Sequence, residues 1–369
     1  MNRTLKVMLD SRQDNSYEIE IENGLSHTLG LEIGKSNFGK KYCIIADSQV
    51  AKVAGKKLLS QFAKQSITAH IISFPRGEQS KNIKVVEMIV EKMSKLGFDR
   101  KDCIVALGGG VSGDIAGFCA AIYLRGINFV QVPTTLLAMV DSSIGGKTGV
   151  NLKSGKNLVG SFYQPKKVYI CPEFLESLPK SEVAAGMSEV IKHAIVADAR
   201  LFYFIEQNIS KIISLDPNVM EQLIEKNCKI KAEVVEKDEK EVNYRKIINY
   251  GHTIGHALES IGNYKQFSHG QAVAIGMRVE AKISQKMGFL NLEEENKIKN
   301  LLEQIGLPTK VPKIDLHKVI AATRKDKKAV SGKVYYSLPQ KIGKMHQQNG
   351  SYSILPDDKI VFSSLEDCL

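Results

Sequence analysis

Residues 103–118 read CIVALGGGVSGDIAGF. A short apolar run, three glycines and a helix-like stretch follow one another, the pattern of a buried strand, a tight turn and a helix. Gly108, Gly110 and Gly113 satisfy G-x-G-x-x-G, a spacing that lets the backbone approach a pyrophosphate at a helix N-terminus. A strand-to-helix turn that binds nothing uses glycine as well. The usual dinucleotide fingerprint adds an acid about 20 residues downstream. Here that region reads IYLRGINFVQVP (122–133), with Arg125 and no acid. The acid that ends a strand lies upstream, at Asp47 in YCIIAD (42–47), and the glycine loop follows the third strand of the sheet. A dinucleotide site of this kind departs from the standard Rossmann arrangement.

Outward from this loop the first half alternates strand and helix patterns. YCIIAD, AHIISF (69–74), CIVAL (103–107) and FVQVP (129–133) read as strands, with helices over 48–64 and about 81–96. LKVML (5–9) and YEIEI (17–21) read as two further strands forming a hairpin. Strands alternating with helices predict a parallel sheet with helices on its faces. After ESLP (176–179) the segments become long, amphipathic and helical, over 181–196, 218–237, 250–260 and 269–288. Strand signals return weakly at KVYYSL (333–338) and SYSIL (351–355). The fold class expected is an α/β nucleotide-binding domain (1–178) followed by a mostly α-helical domain (179–369), with ligands in the cleft between them.

Bulk properties narrow the function. The 369 residues exceed what one core usually serves. No run of about 18 apolar residues without a charge predicts a membrane span, and MNRTLKVMLD has no signal-peptide core. Six scattered cysteines without a C-x-x-C pair suit buried thiols in a reducing cytoplasm. The net charge of +11 fits a nucleic-acid binder or a small anionic substrate. The basic residues are spread along the chain, and RKDKK (324–328) carries no interleaved aromatics, so nucleic acid is not the expected partner.

Three stretches carry candidate chemistry. QVPTTLLAMVDSSIGGKTGVNLKSGKNLVG (131–160) crowds Thr134, Thr135, Asp141, Ser142, Ser143, Lys147, Lys156 and Asn157 among glycines and reads as a phosphate-cradling loop. AAGMSEVIKHAIV (184–196) puts Glu189 and Lys192 three apart on an otherwise apolar helix, where a charge needs a partner. NYGHTIGHALE (249–259) sets His252 and His256 four apart on one helical face, and FSHGQAVAIG (267–276) adds His269. Thr253 stands where the metalloprotease motif has its base, so H-E-x-x-H chemistry is excluded. One carboxylate and two histidines with an open position suit Zn²⁺, but spacing leaves open which two histidines bind.

Together GGGVSGDIAGFCAAIYLRG, VPTTLLAMVDSSIGGKTGVN, GKNLVGSFYQP, AAGMSEVIKHA, NYGHTIGHALE and HGQAVAIGM resemble the 3-dehydroquinate synthase family of sugar phosphate cyclases, over nearly the whole chain and most densely from 104 to 282. The resemblance implies the dehydroquinate synthase-like fold shared with glycerol dehydrogenase-like enzymes. It implies Zn²⁺, for which Co²⁺ could substitute, on Glu189, His252 and His269, and leaves His256 as a proton-transfer or phosphate-contacting group. It implies NAD on Asp47, Arg76, Gly77, Glu78, Gln79, Ser80, Lys81, Gly110, Val111, Ser112, Gly113, Asp114, Thr134, Thr135, Lys147 and Lys156. Phe174, Leu175, Glu176 and Ser177 complete that cofactor set.

Substrate contacts are implied at Arg125 (across a dimer interface), Asp141, Lys147, Asn157, Lys192, Lys231, Arg245, Asn249, His256 and Lys327. Glu241 is implied to help proton transfer, beside His256, Lys147, Arg245 and Asn249 as catalytic groups. The implied activity converts 3-deoxy-D-arabino-heptulosonate 7-phosphate, a small anionic sugar phosphate, into 3-dehydroquinate and phosphate in the shikimate pathway. NAD is recycled within the reaction, and the enzyme is expected to be a cytoplasmic homodimer. Gln271, Tyr250 and Phe174 depart from the family's usual residues. The rival readings are a cyclase for a sugar phosphate without a carboxylate and a polyol dehydrogenase of the same fold.

Overall fold

The computed structural model describes residues 15–262, 266–324 and 333–369. Six strands build one sheet: β1 Glu18–Ile21, β2 Lys41–Asp47, β3 Thr68–Phe74, β4 Cys103–Gly108, β5 Asn128–Pro133 and, after a separate hairpin of β6 Lys147–Leu152 and β7 Gly155–Phe162, β8 Lys167–Ile170. Their order is β1-β8-β5-β4-β2-β3, and every pairing is parallel. The central strand β4 is buried along its whole length. Helices cover both faces of such a strand, which is why CIVAL reads as an unbroken apolar run. Apolar layers lie on the two faces, one around Ile45, Ile104 and Phe118, the other around Ile44, Val105 and Phe62.

The chain passes from β2 outward to the edge strand β3, then returns to lay β4 on the other side of β2. The connections therefore diverge between β2 and β4. In open α/β sheets that divergence leaves a crevice at the carboxyl ends of the strands, where ligands bind. Asp47 ends β2 and Gly108 ends β4, so the acid and the glycine loop stand side by side.

Of the expected N-terminal hairpin, LKVML lies outside the described residues. YEIEI yields β1, which runs parallel to β8 and carries the ion pairs Lys167–Glu18 (3.2 Å) and Lys167–Glu20 (2.9 Å). The helix over 48–64 contains a π-helical turn at Ala51–Gly55. The reading of 131–160 as a loop is corrected. It holds a π-helical turn at Ala138–Ser142 and most of an antiparallel hairpin, β6 Lys147–Leu152 with β7 Gly155–Phe162. Two of its glycines serve backbone approach between the strands, since a Cβ at Gly160 would stand 2.1 Å from the Thr148 carbonyl oxygen.

Beyond residue 179 the chain is helical, with Lys180–Ala197, Pro217–Lys237, His252–Ile261, His269–Lys286 and Leu292–Gln304 as its main helices. The weak strand signals give isolated bridges, including Tyr336 with Ile354, and a two-stranded ribbon of Pro339–Lys341 and Lys344–Met345. One apolar core joins Leu136, Met139 and Val140 from the sheet side to Met187, Val190 and Ile191 from the first long helix. Helix His269–Lys286 approaches its neighbours through glycines. A Cβ at Gly276 would stand 1.9 Å from the Gly251 carbonyl oxygen, and one at Gly270 would stand 2.4 Å from the Ala185 backbone. All six cysteines are buried free thiols. Among the described residues no helix is long and apolar enough to cross a membrane.

Candidate active site

Three helices converge on Glu189. It sits fully buried in mid-helix, while His252 and His269 each open a helix. His252 follows Gly251, whose φ of 79° makes the left-handed turn into the helix. His269 follows Ser268, which forms a capping box with Gln271. Either Gln or Glu can close such a box, which accounts for the Gln271 departure. The Tyr250 departure is satisfied too, because its buried hydroxyl donates to the Met277 carbonyl at 2.7 Å.

His252 Nε2 lies 3.6 Å and His269 Nε2 3.5 Å from the same oxygen, Glu189 Oε1. That oxygen is buried and has no hydrogen-bond partner. The other ring nitrogens face acceptors: His252 Nδ1 the Tyr250 carbonyl at 3.1 Å, and His269 Nδ1 the Glu259 carboxylate at 3.4 Å. A proton held on Nδ1 leaves the Nε2 lone pair for a metal. An orphaned carboxylate oxygen and two aimed imidazoles form a donor set suited to Zn²⁺ with an open position. The His256 ring lies 5.4 Å from that of His252 and 6.3 Å from that of His269, centroid to centroid.

Beside this cluster runs a buried charged network. Lys192 pairs with the other Glu189 oxygen, and Lys231 pairs with Asp141. Burial opposes ionisation of Asp141 and Glu189. Lys231 and Lys192 outweigh it at Asp141, and Lys192 and His252 at Glu189, so both carboxyls are held well below their ordinary range. Burial lowers the Lys231 ammonium to about 8, against the pull of Asp141. Lys147 pairs with Glu241, whose second oxygen accepts from Asn249 Nδ2 at 2.7 Å. Arg245 is buried, donating to the carbonyls of Glu239 (2.5 Å) and Gly145 (3.3 Å), while its Nε keeps no partner.

The residues expected to contact a dinucleotide lie as follows. Asp47 Oδ1 accepts from the backbone of Gln49 and Val50, and Arg76 reaches the Gln49 side chain. Lys81 pairs with Asp114 and donates to Asn157 Oδ1 at 2.5 Å. Ser112 packs under Gly108, and Gly113 packs against Gln131 of β5, the close helix–sheet approach that a third glycine permits. The Thr134 amide donates to the Gly108 carbonyl, and Thr135 packs on Gly109. Phe174 lies in the 3-10 turn Pro172–Ser177 and packs between two apolar cores.

Arg125 is not brought to the site of its own chain. It lies exposed past the far end of helix Gly110–Ile122, about 20 Å along the axis from the glycine loop at 1.5 Å per residue. Leu124 and Arg125 there have φ of 50° and 67°, a strained turn for non-glycine residues. Lys327 lies outside the described residues.

Several contributors escaped the sequence reading. Asn151 locks the 76–81 segment to the hairpin through Glu78 Oε1 (2.7 Å), the Lys81 carbonyl (2.8 Å) and the Asn157 amide (2.9 Å). His193, fully buried, bridges Asn227 (2.9 Å) and Asp141 (3.5 Å). Glu280 accepts the backbone N–H of Gly251 and Ile254, anchoring the helix that begins at His252. Only Asn151 had a local signal, an Asn ahead of a tight turn.

Residues 71–185 match the family described as 3-dehydroquinate synthase N-terminal, and residues 186–329 that described as 3-dehydroquinate synthase C-terminal. A 3-dehydroquinate synthase from Thermodesulfovibrio yellowstonii is 44% identical over 342 residues, 92% of this chain and 94% of its own length. A 2-deoxy-scyllo-inosose synthase structure with carbaglucose-6-phosphate, NAD⁺ and Co²⁺ superposes with a TM-score of 0.87 at 29% identity, covering 95% of this chain and 96% of that one. A 2-epi-5-epi-valiolone synthase from Streptomyces hygroscopicus with NAD⁺ and Zn²⁺ gives 0.88 at 25%, covering 98% and 99%. A parallel sheet clad in helices and followed by a helical region is thus the fold shared with the sugar phosphate cyclases. Within that class the chain belongs to the 3-dehydroquinate synthase family. The chain is thus an enzyme, with 3-dehydroquinate synthases as its relatives, and the two solved cyclases carry NAD⁺ with Co²⁺ or Zn²⁺.

Proposed function

We propose that the chain converts 3-deoxy-D-arabino-heptulosonate 7-phosphate to 3-dehydroquinate and phosphate at the cluster around Glu189, with His252 and His269 as the other metal ligands. The observation that carries this reading is the buried, unpartnered Glu189 Oε1 facing two imidazole Nε2 atoms. Bound NAD supplies a reversible hydride acceptor for the C5 alcohol, and the metal a Lewis acid for the neighbouring oxygens. The chain's own groups bind and orient. Asp47, the 76–81 segment, residues 110–114, Thr134, Thr135, Lys156 and the 174–177 turn hold the dinucleotide. Lys147, Asn157 and Lys192 take the phosphate and ring hydroxyls, positioned by Glu241 and Lys81.

Lys231 and Arg245 recognise the carboxylate, and Asp141 keeps the Lys231 ammonium in place. His256 acts in proton transfer or on the phosphate, beside Glu241 and Asn249. Arg125, remote from its own site, serves the partner's site in a homodimer, and Lys327 joins the substrate set. In this reading residues 1–178 form the NAD domain and 179–369 the metal and substrate domain of a cytoplasmic enzyme.

With NAD far below substrate, many phosphates should be released per NAD, because oxidation and reduction cancel within one cycle. One phosphate or none per NAD, or a steady build-up of free NADH, would mean a dehydrogenase instead. Arg245→Ala should lower kcat/KM by about 2 kcal/mol or more, the usual loss for a charged hydrogen-bond partner. The unmutated enzyme should discriminate against a heptulose phosphate without the carboxylate, and equal turnover of the two would reject the assignment of Lys231 and Arg245.

A further inference from the structure

The face of helix His252–Ile261 that carries His252 and His256 carries a third polar group seven positions on, Glu259. It is 4% exposed, and both carboxylate oxygens are used. Oε2 lies 3.4 Å from His269 Nδ1, and Oε1 lies 3.0 Å from Lys156 Nζ on β7. His269 turns its other nitrogen, Nε2, to Glu189. The contacts therefore run in series, Glu189 to His269 to Glu259 to Lys156, from the metal cluster to the hairpin on the cofactor side.

We infer that Glu259 is a positioning residue. It holds the His269 proton on Nδ1 so that Nε2 can ligate, and it is itself held by Lys156, so occupancy of the metal site and the placement of the hairpin lysine are coupled. The inference rests on the proposed ligation by His269. A carboxylate behind a ligating imidazole fixes the ring's tautomer and orientation, and its loss typically weakens metal binding about 10–100-fold. Glu259 is suited to the task because its second oxygen is occupied by a cation, which keeps the group ionised and aimed. His252 Nδ1 faces a backbone carbonyl, whereas His269 Nδ1 faces a side chain that substitution can remove.

The test is Zn²⁺ affinity, measured by chelator competition on full-length protein. Glu259→Gln should weaken Zn²⁺ about 10–100-fold while the metal-free protein keeps its unfolding temperature. Lys156→Met should weaken it less and add little on top of Glu259→Gln, as expected for residues acting in series. Affinity within about threefold of the unmutated protein would overturn the inference, and so would a loss as deep as that of His269→Ala, which would make Glu259 a ligand. If His269→Ala keeps its zinc, the ligand assignment fails instead, and the two failures are distinct. Should Glu259→Gln not fold, ¹⁵N NMR of the unmutated Zn²⁺-loaded protein decides. A protected His269 Nδ1–H supports the inference, and a proton on Nε2 overturns it.

Discussion

His252→Ala should purify nearly free of zinc and without measurable turnover, while His256→Ala should keep close to one zinc per chain and still turn over slowly. The two residues share a helix face and differ by one turn. His252 Nε2 faces the orphaned Glu189 oxygen, and its Nδ1 is committed to the Tyr250 carbonyl. A three-ligand site that loses a ligand binds its metal far more weakly. A positioned proton-transfer group contributes about 10²–10⁴-fold to the rate without holding the metal. Excess Zn²⁺ should therefore partly restore His252→Ala and leave His256→Ala unchanged. Metal analysis of the two purified variants decides, and a metal-free His256→Ala would reverse the assignment.

Gly276→Ala should be the most damaging single methyl in the helical part. The added Cβ would meet the Gly251 carbonyl oxygen at 1.9 Å and the Gly255 amide nitrogen at 2.9 Å. Both are backbone atoms, so no rotamer change relieves the overlap and the two helices must separate. Overpacking of this kind costs typically 1–3 kcal/mol, and with backbone on the far side we expect about 3 kcal/mol or more. The displaced helix begins with His252, so zinc affinity should fall with stability. Gly55→Ala is the control: its nearest neighbour, Ile71 Cδ1, is 3.4 Å away and its φ is helical. Replacing a helical glycine there should be neutral or stabilise by about 0.5–1 kcal/mol. Urea unfolding of both variants checks the contrast, and equal midpoints would mean the helix contact is looser than its geometry.

Local pattern made much of this legible. The glycine loop, the buried strands and the long helices follow from hydrophobic period and turn chemistry, and the observed bounds of helices such as Pro217–Lys237 lie within a residue or two of those expected. Glu189, His252 and His269 were named before any geometry, but on resemblance, because spacing alone treats three histidines alike. The β6–β7 hairpin reads as a loop because it is crowded with glycines and polar groups, whereas Gly149 and Gly160 let two strand backbones touch. His193, Glu259 and Glu280 stayed silent for another reason. Each works on a partner from a different element, such as Asn227, Lys156 or Gly251, and one-dimensional spacing carries no record of such meetings.

The parallel pairing of β1 with β8 has a consequence for synthesis on the ribosome. Glu18 emerges early, but its register partner Lys167 is made only after the rest of the sheet. At roughly 5–20 residues per second the strand waits on the order of ten seconds as an open edge. Its sequence fits that wait, because EIEI is short and places two carboxylates side by side along one face. Like charges on an edge discourage pairing with a neighbouring chain. When Lys167 arrives it contacts both acids, and the repulsion that guarded the nascent strand becomes the attraction that seats it.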